Sequence, residues 1–165
     1  MIFLTVGTQF PFDRLVRAVD EVVGGNRFKE NIFAQIGVTS YRPKNFESAS
    51  ELGKILFDKY FSEAEGVISH AGMGTITMAW EKKKPLLVMP RLKKYGEVVN
   101  NHQLDIAKRF EKLGYLLVAH GKEDLSEKMQ QLKTFVPRER TTQTEAVSER
   151  ISQFLKTLSY MDGKK

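Results

Sequence analysis

Short apolar runs alternate with amphipathic stretches along the chain. The runs Ile2 to Val6, Ile32 to Ile36, Gly66 to Ser69, Leu86 to Met89 and Tyr115 to Val118 are continuous rather than alternating, the pattern of strands buried on both faces. Between them, apolar residues recur at helical spacing. From Asp13, which can cap the start, Leu15, Val16, Val19, Val22 and Val23 share one face until Gly24 and Gly25 stop the helix. A second helix opens at Ser50, with Leu52, Ile55, Leu56, Tyr60 and Phe61 in phase. Further helices are expected from Gly74 to about Lys83, from Val99 to Leu113 with Gly114 closing it, and from Lys122 to about Thr134. The stretch "VTSYRPKNFESAS" reads as a polar loop. Pro137 breaks the chain before a last amphipathic helix near Thr141 to Leu158, and residues 159–165 read as a disordered tail.

This alternation predicts an α/β fold, a parallel sheet covered by helices on both faces. It forms one domain over residues 1–158, since no repeat, low-complexity tract or linker divides the chain. In such sheets ligands bind beyond the carboxyl ends of the strands. Two glycine corners, after Val6 and after Ser69, fall at such ends, as does the loop after Met89.

Composition narrows the classes. At 165 residues, 41% hydrophobic and 28% charged, the chain suits a single globular domain with a real core. The absence of cysteine excludes a disulfide framework and cysteine-based zinc sites, and fits a reducing cytoplasm. No apolar run is long enough to cross a bilayer, and Met1 leads straight into "IFLTV" with no export signal. The net charge of +6 favours an anionic partner, or simply aids solubility.

Three stretches carry candidate chemistry. "HAGMGT", His70 to Thr75, can present the N–H groups of Met73, Gly74 and Thr75 at a helix start, where their partial positive charge suits a diphosphate. The bland alternative is a tight turn in which Gly72 supplies positive φ. "VGTQF" places Gly7 and Thr8 at a second strand end, either as further donors or as a plain strand exit. "PRLKKYGEVVNNHQLDIA" supplies Arg91, Lys93 and Lys94 as candidate phosphate partners, and Asn101, His102 and Gln103 as groups suited to sugar hydroxyls. Its alternative is a solvated basic loop with a helix cap. The first corner matches neither G-x-G-x-x-G nor a P-loop, and there is no D-x-D, G-x-S-x-G or H-E-x-x-H. Neither a metal nor a cofactor is expected. Aromatic and basic residues do not interleave on one strand, so no nucleic-acid partner is expected.

Taken in this order, "HAGMGT", "EKKKPLLVMPR" and "NNHQ" resemble the C-terminal, donor-binding half of family 28 glycosyltransferases. They resemble still more the small subunits of two-part glycosyltransferases, as in exopolysaccharide synthesis and the second sugar step on dolichol diphosphate. The resemblance implies a Rossmann-like half of a GT-B glycosyltransferase binding a UDP-sugar. It implies roles at the donor for Gly7, Thr8, His70, Gly72, Gly74, Thr75, His102 and Gln103, with Arg91 beside the leaving diphosphate. His70 is the candidate base within the chain, although a partner can supply that group.

Two departures stand out: Met78 occupies the position where many members carry a ribose-binding glutamate, with Glu81 one turn later, and Ile106 lies where an asparagine is frequent. The sugar therefore stays open among N-acetylglucosamine, glucuronic acid, glucose and galactose. The expected partners are a membrane-anchored acceptor-binding glycosyltransferase subunit and a lipid-linked acceptor, with the chain cytoplasmic and peripheral to the inner face of the membrane. The alternative functions are a non-catalytic nucleotide-sugar-binding regulatory module and a basic nucleic-acid-binding domain.

Overall fold

In the computed structural model, which describes residues 1–139, every apolar run expected as a strand lies in one parallel sheet. The strands are β1 (Ile2–Thr5), β2 (Ile32–Gln35), β3 (Glu47–Ala49), β4 (Gly66–His70), β5 (Leu86–Met89) and β6 (Leu117–Val118), and their spatial order is β3-β2-β1-β4-β5-β6. The chain runs outward from β1 to β3, then returns to β4 on the other side of β1. That reversal opens a crevice beyond the carboxyl ends of β1 and β4. The helices are α1 (Asp13–Gly24), α2 (Lys54–Glu63), α3 (Met73–Glu81), α4 (His102–Lys112) and α5 (Lys122–Leu132).

Two cores result from the pleat. Leu4, Val6, Ile68 and Met89 pack with α1 and α5 on one face, while Phe3, Val67 and Val88 pack with α2, α3 and α4 on the other. Successive side chains on a strand point to opposite faces, so a strand with helices on both sides must be apolar throughout. Such a sheet has no solvated face.

Several local expectations shift. β3 lies inside the stretch read as loop: as an edge strand it pairs only with β2, Phe33 opposite Glu47, and its two glutamate and serine residues are exposed. Having one neighbour and one covered side, it needs no apolar run. α2 starts at Lys54 rather than Ser50, because the Ser50 carbonyl accepts the Gly37 N–H at 2.8 Å and Gly53 becomes the cap. Asp13 does not cap α1; its carboxylate accepts the N–H groups of Tyr41 at 2.7 Å and Ser40 at 3.4 Å, holding the loop after β2. Lys84, after α3, reaches across to donate from Nζ to the carbonyls of Ser62 and Ala64 at the carboxyl end of α2. The helix expected over 141–158 and the tail 159–165 lie outside the described residues.

Candidate functional site

The crevice at the β1–β4 reversal has a volume of about 440 Å³, within the range of roughly 300–1,000 Å³ found for small-molecule sites. One wall is the turn after β1, from Gly7 to Phe10; the floor is the corner after β4; the third side comes from Arg91, Val98, Val99, His102 and Gln103.

Gly7 and Gly72, one in each corner, are explained by one imidazole. Gly7 has φ +74°, and a Cβ there would stand 3.1 Å from His70 Cε1. A Cβ on Gly72 would overlap His70 Nε2. Gly72 itself has φ −89°, so the positive-φ turn offered as the bland alternative is not what requires it. Both glycines make room for His70.

Buried hydrogen bonds fix the state of that ring. Ser69 Oγ donates its single proton to the Thr5 carbonyl at 2.8 Å, which leaves it only lone pairs for His70 Nδ1 at 3.2 Å. Nδ1 therefore carries the proton, and Nε2 keeps its lone pair on the crevice side. Burial, and secondarily the positive charge of Arg91, push the His70 pKa down to about 4. At neutral pH the ring is uncharged and adds hydrogen bonding, not charge, to the site.

α3 begins at this corner with Gly72 as its cap. The first N–H groups of a helix have no acceptor within it, so those of Met73, Gly74 and Thr75 are available. Gly74 and Thr75 line the crevice, and among the described residues a Cβ at Gly74 would have nothing within 4 Å. No packing forbids a side chain at Gly74.

The third stretch is used differently from the expectation. Arg91, 3% exposed, donates from Nη2 to the carbonyls of Val6 and Phe10, both at 2.7 Å, and lies over the Phe12 ring. Burial pulls its pKa down to about 10, partly offset by Glu97. It braces the turn after β1, and its Nε is buried without a hydrogen-bond partner among the described residues. Gln103 Oε1 accepts the Arg91 N–H at 3.1 Å, Glu97 Oε2 the Leu92 N–H at 2.8 Å, and Asn101 Oδ1 the Lys93 N–H at 2.9 Å. Three successive amides are thus each taken by a side chain, leaving none of them for a phosphate. Lys93 and Lys94 sit on an exposed 3-10 turn, and they, Met73 and Asn101 lie outside the lining.

Gly7, Thr8, His70, Gly72, Gly74, Thr75, Arg91, His102 and Gln103 are brought together. Met78 and Ile106 pack against the second core and Glu81 is exposed; none of the three reaches the crevice. Sequence reasoning missed Phe10, Val98 and Val99 in the walls, because isolated apolar residues in loops, exposed at Phe10 and Val99 and half-buried at Val98, carry no periodic signal.

With this geometry in place, comparison with known proteins is specific. Residues 1–158 match the glycosyltransferase family 28 C-terminal domain. The human UDP-N-acetylglucosamine transferase subunit ALG13 is 35% identical over 132 residues, 70% of this chain and 10% of that protein. The protein of the same name from Eremothecium gossypii is 46% identical over 50 residues, 30% of this chain and 23% of its own length. The chain thus spans about a tenth of the human relative. An NMR structure of ALG13 superposes with a TM-score of 0.58 at 19% identity, covering 91% of this chain and 93% of that one. The MurG crystal structure from Acinetobacter baumannii superposes with a TM-score of 0.52 at 22% identity, covering 80% and 40%. These likenesses establish the shared fold.

Proposed function

The chain belongs to the glycosyltransferase family 28 C-terminal domain family, and from that membership we propose that it is the donor-binding subunit of a two-part UDP-sugar glycosyltransferase. The observation that carries the reading is the open start of α3 at the sheet reversal, with unpaired N–H groups, a glycine free of neighbours and a neutral histidine in one crevice. A nucleotide diphosphate placed there accepts hydrogen bonds from the Gly74 and Thr75 amides and the Thr75 hydroxyl. As the bond from sugar to diphosphate breaks, negative charge grows on the leaving oxygen. Fixed helix-end dipoles stabilise it without reorganising, the largest single contribution in many active sites. Arg91 acts from beneath, through the turn it braces. His70 Nε2 accepts from a hydroxyl, whereas a pKa about 4 makes it a weak base at neutral pH. Deprotonation of the acceptor falls to the partner.

Relatives named UDP-N-acetylglucosamine transferase subunits put that donor first in any panel. We place the lipid-linked acceptor, of exopolysaccharide or capsule type, and the membrane anchor on the partner subunit, with this chain on the cytoplasmic face. Among the described residues no helix is long and apolar enough to cross a membrane. A second reading, a regulatory module that binds the nucleotide sugar without transfer, is favoured by Met78, which faces the core rather than a ribose.

Calorimetry with UDP and a panel of UDP-sugars, followed by transfer assays with and without the partner, tests both. UDP binding with transfer only on mixing is expected. Nucleotide bound at the cavity near the amino ends of β1 and β2, lined by Met1, Asn31 and Phe46, would overturn the assignment, and failure to transfer with any partner would favour the second reading.

A further inference from the structure

The ion pair between Arg14 and Glu97 lies outside the crevice, yet it ties the first turn of α1, which directly follows the wall turn after β1, to the segment that supplies Arg91, Val98 and Val99 to the opposite side. Arg14 Nε donates to Glu97 Oε1 at 2.8 Å, and its Nη2 donates to Oε2 at 2.9 Å and to the Pro90 carbonyl at 2.8 Å. Glu97 Oε2 also takes the Leu92 N–H. The Arg14 guanidinium lies 5.2 Å from the Phe12 ring centroid and 4.9 Å from that of Tyr95, while Arg91 stacks on Phe12 at 4.9 Å. Their side chains are 22% and 10% exposed, and no other ion pair among the described residues is as withdrawn from water on both sides. A forked, partly buried pair is directional, and losing either member strands a charge. Its ends are placed to matter: Pro90 precedes Arg91, and Glu97 precedes Val98 and Val99 of the wall. Gly96, with φ +69°, turns the chain just before Glu97.

We propose that Arg14 and Glu97 are positioning residues of the crevice, their pair setting where the segment from Pro90 to Val99 stands against the turn from Gly7 to Phe12. The pair thereby fixes the width offered to a diphosphate and its sugar, a role that rests on the donor-site reading above. A pair that merely stabilised the fold would change melting without changing the fit of a ligand.

Two measurements on the whole chain separate these roles, using Glu97→Gln, the gentler Arg14→Lys, and Lys133→Met as a control. Lys133 forms a 2.7 Å pair with Glu30, beside the amino end of β2 and away from the crevice. In calorimetry with UDP, both crevice variants are expected to bind about tenfold or more weakly, as for loss of one hydrogen bond to a charged group, and Lys133→Met as wild type does. Wild-type affinity in both crevice variants overturns the proposal. In the ligand-free protein, Leu92 amide exchange should quicken by about tenfold or more in Glu97→Gln. NMR relaxation dispersion should then appear at Thr8, Phe10, Val98 and Val99, and not in the control. Walls that stay rigid overturn the proposal independently. Should wild-type protein bind no UDP while both walls loosen, the donor-site reading falls and the geometric coupling stands.

Discussion

Replacing Gly74 with alanine should move stability and binding in opposite directions. Gly74 is the second residue of α3, has an ordinary negative φ, and leaves open space where a Cβ would point. Alanine there costs no contact and restricts the unfolded chain, so stability should rise by about 0.5–1 kcal/mol. In a chain of this size that is an increase of about 1–4 °C in Tm. The added methyl group, however, stands in the space through which a diphosphate approaches the helix-end amides. Oxygen acceptors sit about 2.9 Å from such nitrogens, a separation that a neighbouring carbon readily disturbs. Losing one hydrogen bond to a charged group costs about 1.5–3 kcal/mol, which is roughly a 10- to 150-fold rise in Kd. Thermal melting and UDP calorimetry on the same preparation read both effects. A stabilised Gly74→Ala protein with wild-type affinity would refute the claim that the ligand lies against α3. Loss of stability would refute the claim that the space is free. Gly72→Ala provides the contrast: its Cβ collides with His70, so a loss of about 1–3 kcal/mol is expected.

Other expectations concern buried polar groups and close backbone approaches. Asp20, 2% exposed, accepts from the Tyr41 hydroxyl and from the N–H groups of Lys44 and Asn45; burial pushes its pKa up, but these bonds outweigh it and leave the carboxyl below its ordinary value of 3.8. Asp20→Asn should cost about 2–4 kcal/mol in urea denaturation at pH 7. Since a depressed carboxylate contributes above its unfolded pKa and is lost as pH falls through the folded one, the gap should narrow below pH 3.8, and a constant gap would refute the charge-based account. For His70, with a folded pKa about 4 against 6.5, the unfolded chain binds the extra proton between those values. Stability should therefore rise with pH across that window by up to about 3 kcal/mol and level off above it; a His70→Gln profile with the same slope would refute this. Gly37→Ala meets both φ +56° and the Gly7 carbonyl at 2.6 Å, so thermal melting should show a loss above about 2 kcal/mol, and an unchanged Tm would refute the close approach.

The sequence alone determined the layered parallel sheet and the glycine corners at its strand ends, while the strand order that sets β1 beside β4 and brings those corners together came from the fold. The former are local requirements: a strand buried on both faces must be apolar residue by residue, and a crowded corner must omit side chains where the backbone bends. Contiguous residues carry both signals. What the tertiary structure alone decided is how polar side chains are spent. Asn101 and Gln103 look like sugar ligands by residue type, yet their oxygens close on the Lys93 and Arg91 amides. Arg91 resembles a phosphate partner, yet it grips the Val6 and Phe10 carbonyls from 85 and 81 residues away. β3 escaped notice because a strand paired on one side needs no apolar run, and Arg14 finds Glu97 across 83 residues. A hydrogen-bonding group takes whichever partner the fold brings within about 3 Å, and no spacing along the chain states which partner that will be.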